Sequence, residues 1–510
     1  MRDGTGIARG SRAGRLIVRG TASSGLGFAI RFGARFLFLF VAGRLFGAAL
    51  FGAYSIATAL VEAAVIAAGL STKWMLFKWL NEREEGDRPA LHVVIDTALM
   101  VFAAGAAIAA VIIVLVAATP GPWIAANTEA AIFALALMVP LQALIELLLA
   151  ATRWTEKMRY EVVAKNVMQP YASIVVAIGA WWLGWMQEGL FLSYIAGTIA
   201  SLVYTLYGVR RCFGSLGLRD YRPDLGGMSR HFRAAMPTTG TELIDALYTR
   251  LDIYVVGILL GERAAGIYGM ARQLSMPIRQ ARQAFDGMLV PIVARTFSQA
   301  GPTSTGISIA SAARLVLIVQ LGGAIVLTAV GSPLLHALGK GFHAAYGALL
   351  CLAAAEVIQG AFGLGELVLI YSRPRIAVAM TAGFMVFGVA GAVLLEPHLG
   401  LTGIALAVLL SYSARAVVRR QLLRHIHAVE IPTFYWAGPI IAAAAGLAVA
   451  VALGWQLGDR HGLAGAVPAV AGGLAAYLVL LLLWVRTTGE SLVPQGFVSG
   501  DPAAAEAPAA

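Results

Sequence analysis

Charged residues interrupt the apolar runs of this chain, and an ionised group inside hydrocarbon persists only when a partner, a water-filled cavity or a function holds it there. The basic ones are Arg31 and Arg35, then Arg250, then Arg272, Arg279 and Arg282, and finally Arg314. The acids are Glu62, Asp96, Glu146, Glu242, Asp245, Asp252, Asp286, Glu356 and Glu366. Arg31 and Arg35 are one helical turn apart and share a face with Ser24 and Gly27, while Arg272, Arg279, Gln283 and Asp286 make a second polar stripe at helical spacing. A guanidinium is a permanent cation with a planar fork of N–H donors, suited to carboxylate and phosphate. As a set, Arg31, Arg35, Arg250, Arg272, Arg279 and Arg282 make a cationic, anion-binding cavity the expectation. For any one of them the competing reading is a structural ion pair, with Asp286 the candidate partner of Arg279, or, for Arg31, a side chain that snorkels to the headgroups. Glu62, Glu242, Asp245, Asp252 and Asp286 are then counter-charges or cation-coupling carboxylates; Glu242, Asp245, Thr249 and Asp252 share one face at helical spacing.

Covalent chemistry finds no support. There is no G-x-x-x-x-G-K-[ST] phosphate loop. His425 and His427 read as headgroup-facing loop residues rather than a metal pair, and Cys212 and Cys351 lie far apart, one in a basic loop and one in an apolar run. No cofactor and no metal is expected.

The elements that must position these charges are membrane helices. Of 510 residues 59% are hydrophobic and 13% charged, against roughly 45–50% and about 25% in soluble domains. Apolar spans fall near 22–43, 47–70, 92–118, 130–151, 166–186, 190–209, 236–260, 264–294, 307–331, 343–371, 376–395, 401–414, 434–457 and 463–485, each near the ~20 residues that a crossing needs. The expected class is an all-α polytopic membrane protein of about fourteen spans. The eighth span is unusually polar, and the twelfth is long enough only if it continues through Arg415 toward Val418.

With the amino terminus in the cytoplasm, alternate loops hold 27 of the Lys and Arg residues and the opposite loops only Arg44, Arg263, Lys340 and Arg460. That split predicts both termini inside, and it accounts for the net charge of +11 without nucleic acid. Opposite loops are too short for an outer catalytic domain. Trp181, Trp182 and Trp185 read as an interfacial aromatic belt. The segments are a basic cytoplasmic terminus (1–21), a first lobe (22–211), a basic loop (212–235), a second lobe (236–425), two more spans (426–486) and a disordered tail (487–510).

A repeat relates the lobes. Leu45 to Leu60, LFGAALFGAYSIATAL, aligns with Leu259 to Leu274, LLGERAAGIYGMARQL, at an offset of 214 residues that matches Gly47 to Gly261, Gly52 to Gly266 and Tyr54 to Tyr268. Each copy joins the first and second spans of a six-span group, so the repeat is parallel.

The stretch ARFLFLFVAGRLFGAALFGAYSIATALVEAAVIAAGL resembles the opening of polysaccharide flippases of the multidrug/oligosaccharidyl-lipid/polysaccharide superfamily. RLDIYVVGILLGERAAGIYGMARQL resembles their seventh and eighth helices, with Asp252 near the start and Gly266, Tyr268 and Ala271 closing the G-x-Y-x-x-A ending. The resemblance implies two pseudo-symmetric six-helix lobes around a central cavity and a C-terminal helix pair. It also implies alternating access that turns an undecaprenyl-pyrophosphate-linked oligosaccharide across the bacterial cytoplasmic (inner) membrane, for surface polysaccharide or lipopolysaccharide assembly. Its partners would be membrane lipids, the lipid-linked glycan, and glycosyltransferases and a polymerase. The rival readings are a cation-coupled multidrug exporter, a peptidoglycan lipid-precursor flippase and, from another class, a polysaccharide polymerase or ligase. Family members share no fixed set of binding residues, so the arginines rest on this sequence alone.

Overall fold

The computed structural model describes residues 32–82, 89–118, 125–214, 221–299 and 301–488; side chains are not described for 457–463 or for several residues between 284 and 298, Asp286 among them. The basic terminus, Arg31 and the tail from 489 lie outside the described residues. All regular structure among the described residues is helical, as hydrocarbon demands of a backbone that has no water to bond. The helices are α1 (32–46), α2 (Gly47–Gly69), α3 (Thr72–Asn81), α4 (Ala90–Ala118), α5 (Ala126–Ala136), α6 (Val139–Trp154), α7 (Arg159–Trp182), α8 (Gly189–Phe213), α9 (Leu225–Tyr248), α10 (Leu251–Gln299), α11 (Gly301–Leu338), α12 (Tyr346–Phe362), α13 (Glu366–Ser372), α14 (Pro374–His427) and α15 (Phe434–Thr488).

Among the described residues ten helices are long and apolar enough to cross a bilayer, eleven if the bent pair α5 and α6 is one span. Fewer helices than the fourteen expected spans result because some run on through a break. The 54 residues of α14 would reach ~80 Å at 1.5 Å per residue, and the helix kinks at Gly400, so two sequence-read spans lie in one element. Its second half stays helical to His427, which supplies the length the twelfth span lacked. Conversely, the seventh expected span is interrupted by a turn at Thr249 and Arg250, so Glu242, Asp245, Thr249 and Asp252 do not share one continuous helix.

The chain forms two compact units, Met1–Leu243 and Ile244–Ala510. In the first, α1 ends at Gly47, whose φ of 78° and ψ of 178° only glycine adopts without strain. In the second, α10 breaks at Gly261, with φ 81° and ψ −180°. These are the matched glycines of the repeat, so the 214-residue offset reproduces a backbone conformation as well as a pattern. At the same offset Phe38 packs against Tyr54 with the rings tilted and their centroids 5.7 Å apart, where Asp252 accepts a 2.8 Å hydrogen bond from Tyr268. One scaffold thus carries an aromatic contact in one copy and a charge in the other.

Helix α3 has no counterpart among the expected spans. It buries Leu76 and Leu80 and leaves Trp74 61% exposed, with Lys73 over the Trp74 ring at 5.5 Å; these are the marks of a helix lying in the interface. The 44° bend between α5 and α6 precedes Pro140, which lies in the first turn of the second helix. In the second unit α15 packs on α11 through Ile325, Ala442, Ala443, Tyr477 and Leu481, and Tyr477 donates to the Ile318 carbonyl at 2.9 Å.

Candidate functional site

The charges of the second unit are concentrated where its helices break. Asp252 sits in the first turn of α10 and is 7% exposed. It accepts from its neighbour Ile253 N at 3.0 Å, from the Tyr268 hydroxyl, and from Arg272 Nη1, while Arg272 Nη2 donates to the Thr249 carbonyl. The Thr249–Arg250 turn frees that carbonyl from the helix ladder, and the guanidinium caps it.

Two helical turns on, Arg279 reaches across to α12. Its Nε donates to Glu356 Oε2 at 2.7 Å and its Nη2 to Oε1, a two-pronged pair with side-chain exposures of 24% and 3%. Glu356 is thus a partner of Arg279, because α12 runs beside α10 and offers a carboxylate level with it; the expected partner, Asp286, has a side chain that lies outside the described residues. Gln320 of α11 closes the cluster, donating to the Ile278 carbonyl at 2.9 Å and to the Glu356 carbonyl at 3.3 Å.

A third cluster forms at the break between α12 and α13, where Gly363–Gly365 make a single 3-10 turn. Glu366 follows it and accepts from Arg415 and, at 3.1 Å, from Arg419. Carbonyls beside the break also receive guanidinium donors, Phe362 O from Arg419 Nη1 at 2.8 Å and Gln359 O from Arg282 Nη1 at 3.4 Å.

Of the residues singled out from sequence, Arg250, Arg272, Arg279, Arg282, Asp245 and Asp252 belong to the second unit. Arg250 is half-buried in its turn, within electrostatic reach of Arg272 and Arg279, and Asp245 is exposed. Arg35, Glu62 and Glu242 belong to the first unit and are half-buried, Arg35 near Tyr54. Arg31 and the Asp286 side chain lie outside the described residues. Glu356, Glu366, Arg415 and Arg419 were not assigned a role from sequence. The signal was present, since all four interrupt or end apolar runs, but their partners lie 49 to 77 residues away. Arg314 is buried apart from these clusters, its guanidinium 5.4 Å from the Tyr435 ring and 5.8 Å from that of Trp484. Among the described residues no group of His, Cys, Asp and Glu could hold a metal ion.

The sequence profile of a family described as "Polysaccharide biosynthesis protein" matches residues 17–297. Among solved structures, the fold is similar to "Lipid II flippase MurJ, inward closed conformation", with a TM-score of 0.68 and 13% identity over 91% of this chain and 100% of that one. It is similar also to an inward-facing "multidrug resistance MATE family transporter of the MOP superfamily", with a TM-score of 0.62 and 12% identity over 78% of this chain and 94% of that one. The outward-facing form of such a transporter matches at 0.56 and 16% identity over 81% and 95%. A search of the curated proteins returned no match.

Proposed function

We propose, from the premise that the chain belongs to the polysaccharide biosynthesis protein family, that it is a flippase for an undecaprenyl-pyrophosphate-linked oligosaccharide. It works in the bacterial cytoplasmic membrane with both termini inside, delivering the glycan to the outer leaflet for surface polysaccharide assembly. The observation that carries this reading is the excess of guanidinium over carboxylate at the helix breaks of the second unit. There Arg250, Arg272, Arg279 and Arg282 meet Asp245, Asp252 and Glu356. Such a surplus inside a membrane helix bundle invites an anion. Arg272 and Arg279, each seated on a carboxylate, are held rigid, while Arg250 and Arg282, half-buried, are the donors nearest to exchange with a pyrophosphate.

The same pairing disfavours a cationic cargo, since Asp252 and Glu356 already accept from arginines. With a negative cytoplasm, each negative charge carried outward gains about 2.3 kcal/mol per 100 mV, so potential assists export of the pyrophosphate. The test is leaflet accessibility of a fluorescent lipid-linked oligosaccharide in proteoliposomes. Arg250→Ala and Arg282→Ala should slow its translocation by roughly ten-fold or more, as expected when a charge-assisted contact of about 1.5–3 kcal/mol is lost, and Arg→Lys should restore part. Transport of a cationic dye, with no movement of the lipid-linked sugar, would overturn the proposal in favour of drug export.

A further inference from the structure

The Glu366 cluster has more donors than its protein partners accept. Arg415 Nη2 is shared between Glu366 and the Thr381 hydroxyl, the latter at 2.8 Å, and Arg419 divides its Nη groups between Glu366 and the Phe362 carbonyl. Their side chains are 0% and 3% exposed. Arg415 Nε and Nη1 and Arg419 Nε are nevertheless buried with no hydrogen-bond acceptor among the described residues. The Tyr248 ring lies 4.7 Å from the Arg415 guanidinium carbon and eases its charge, but a ring face does not replace an oxygen for each N–H. Two guanidinia, those of Arg415 and Arg419, therefore share the single carboxylate of Glu366, which leaves one positive charge.

Beside this cluster is a cleft of about 240 Å³. Its walls are apolar, with Ile309, Phe362, Leu423 and Trp436 among them, and Arg419 and the exposed Arg420 contribute its basic edge. Trp436 is fixed there by a 3.2 Å hydrogen bond to the Ala310 carbonyl and by edge contact with Phe362. One to two turns further along α14 come the exposed Arg424, His425 and the helix end at His427, residues typical of the headgroup zone. An apolar cleft with guanidinia at one edge, at that depth, suits an amphiphile with a phosphate.

We propose that this cleft is a binding site for an anionic bilayer phospholipid, with a hydrocarbon chain against Trp436 and the phosphodiester on Arg419 and Arg420. The single negative charge of a phosphodiester matches the single surplus charge of the cluster, and its oxygens supply the acceptor that Arg419 Nε lacks. Because Arg419 Nε is closed to solvent here, a small rotation of the guanidinium accompanies binding. The site is distinct from the carrier of the exported glycan and does not depend on what that cargo is.

The test uses the full chain in vesicles and reads quenching of tryptophan by lipids brominated on the acyl chain. Brominated phosphatidylglycerol, mixed into phosphatidylcholine, should quench the unaltered protein more than Trp436→Phe, and brominated phosphatidylcholine should show no such difference. Arg420→Gln, at an exposed position, should reduce the preference for phosphatidylglycerol by roughly five-fold, as expected for one arginine near an anionic headgroup; Arg420→Lys should keep most of it. Arg419→Gln, if it folds, should do the same. Equal quenching of Trp436 by both lipids, or an unchanged preference in Arg420→Gln, would overturn the proposal. So would displacement of the lipid by millimolar inorganic phosphate, since the site would then take the free anion.

Discussion

Removing the carboxylate of Glu356 should destabilise the second unit through Arg279 rather than through any space it leaves. Glu356 is 3% exposed and is held by both prongs of Arg279. Breaking a buried pair by deleting one partner costs about 3–5 kcal/mol, because the remaining charge stays desolvated and alone. The 24% exposure of Arg279 lets some solvent reach it, so the lower end, about 3 kcal/mol, applies to Glu356→Ala. At about 2–4 °C per kcal/mol for a unit of this size, Tm should fall by roughly 6–12 °C. Arg279→Met alone strands the carboxylate and should lower Tm comparably. The double variant Arg279→Met with Glu356→Leu strands neither and should recover more than half of the loss. Thermal unfolding of detergent-solubilised protein, followed by size exclusion, measures all three. Additive losses in the double variant would refute the argument, since they would mean that the two groups are not energetically coupled. If Arg279 also contacts cargo, the double variant will be folded yet inactive in the leaflet assay.

Further outcomes follow from other parts of the fold. Gly47→Ala and Gly261→Ala each force a side chain into a region open only to glycine, at about 1–3 kcal/mol, so each should reduce the yield of folded protein; wild-type yield would show that the breaks are not conserved in solution. Arg314→Ala removes a cation held between Tyr435 and Trp484, worth about 2 kcal/mol or more when desolvated. It should make α15 the first segment cut by protease, whereas Arg314→Lys should be intermediate. His231 stacks on Trp79 with centroids 3.9 Å apart, and burial, with Arg230 beside it, holds its pKa below the usual value against the opposing pull of Asp224 and Asp96. The unfolded chain then binds more protons, so this contribution to stability is present above pH ~6.5 and is lost as pH falls through that value toward the lower folded one. Hydrogen exchange at the start of α9 should therefore quicken between pH 7 and pH 5, and His231→Phe should remove that dependence.

What the amino-acid order determined by itself is what depends on short range and on solvent. Hydrocarbon admits only apolar helices, so the spans and the all-helical class follow from local composition. The register of the two lobes follows from the paired motifs, and Gly47 and Gly261 mark its breaks because no other residue tolerates their dihedral angles. Helical spacing likewise put Arg272 and Arg279 on one stripe. Spacing says which side chains share a face but not which helix that face meets, and ion pairing is decided by the meeting. Hence Arg279 found Glu356 on α12, Asp252 folded onto Tyr268 and Arg272, and Glu366 gathered Arg415 and Arg419 from the far half of α14. Each of those contacts closes a chain separation of 16 to 77 residues, and only tertiary packing, which brings opposite charges together where water is excluded, could select them.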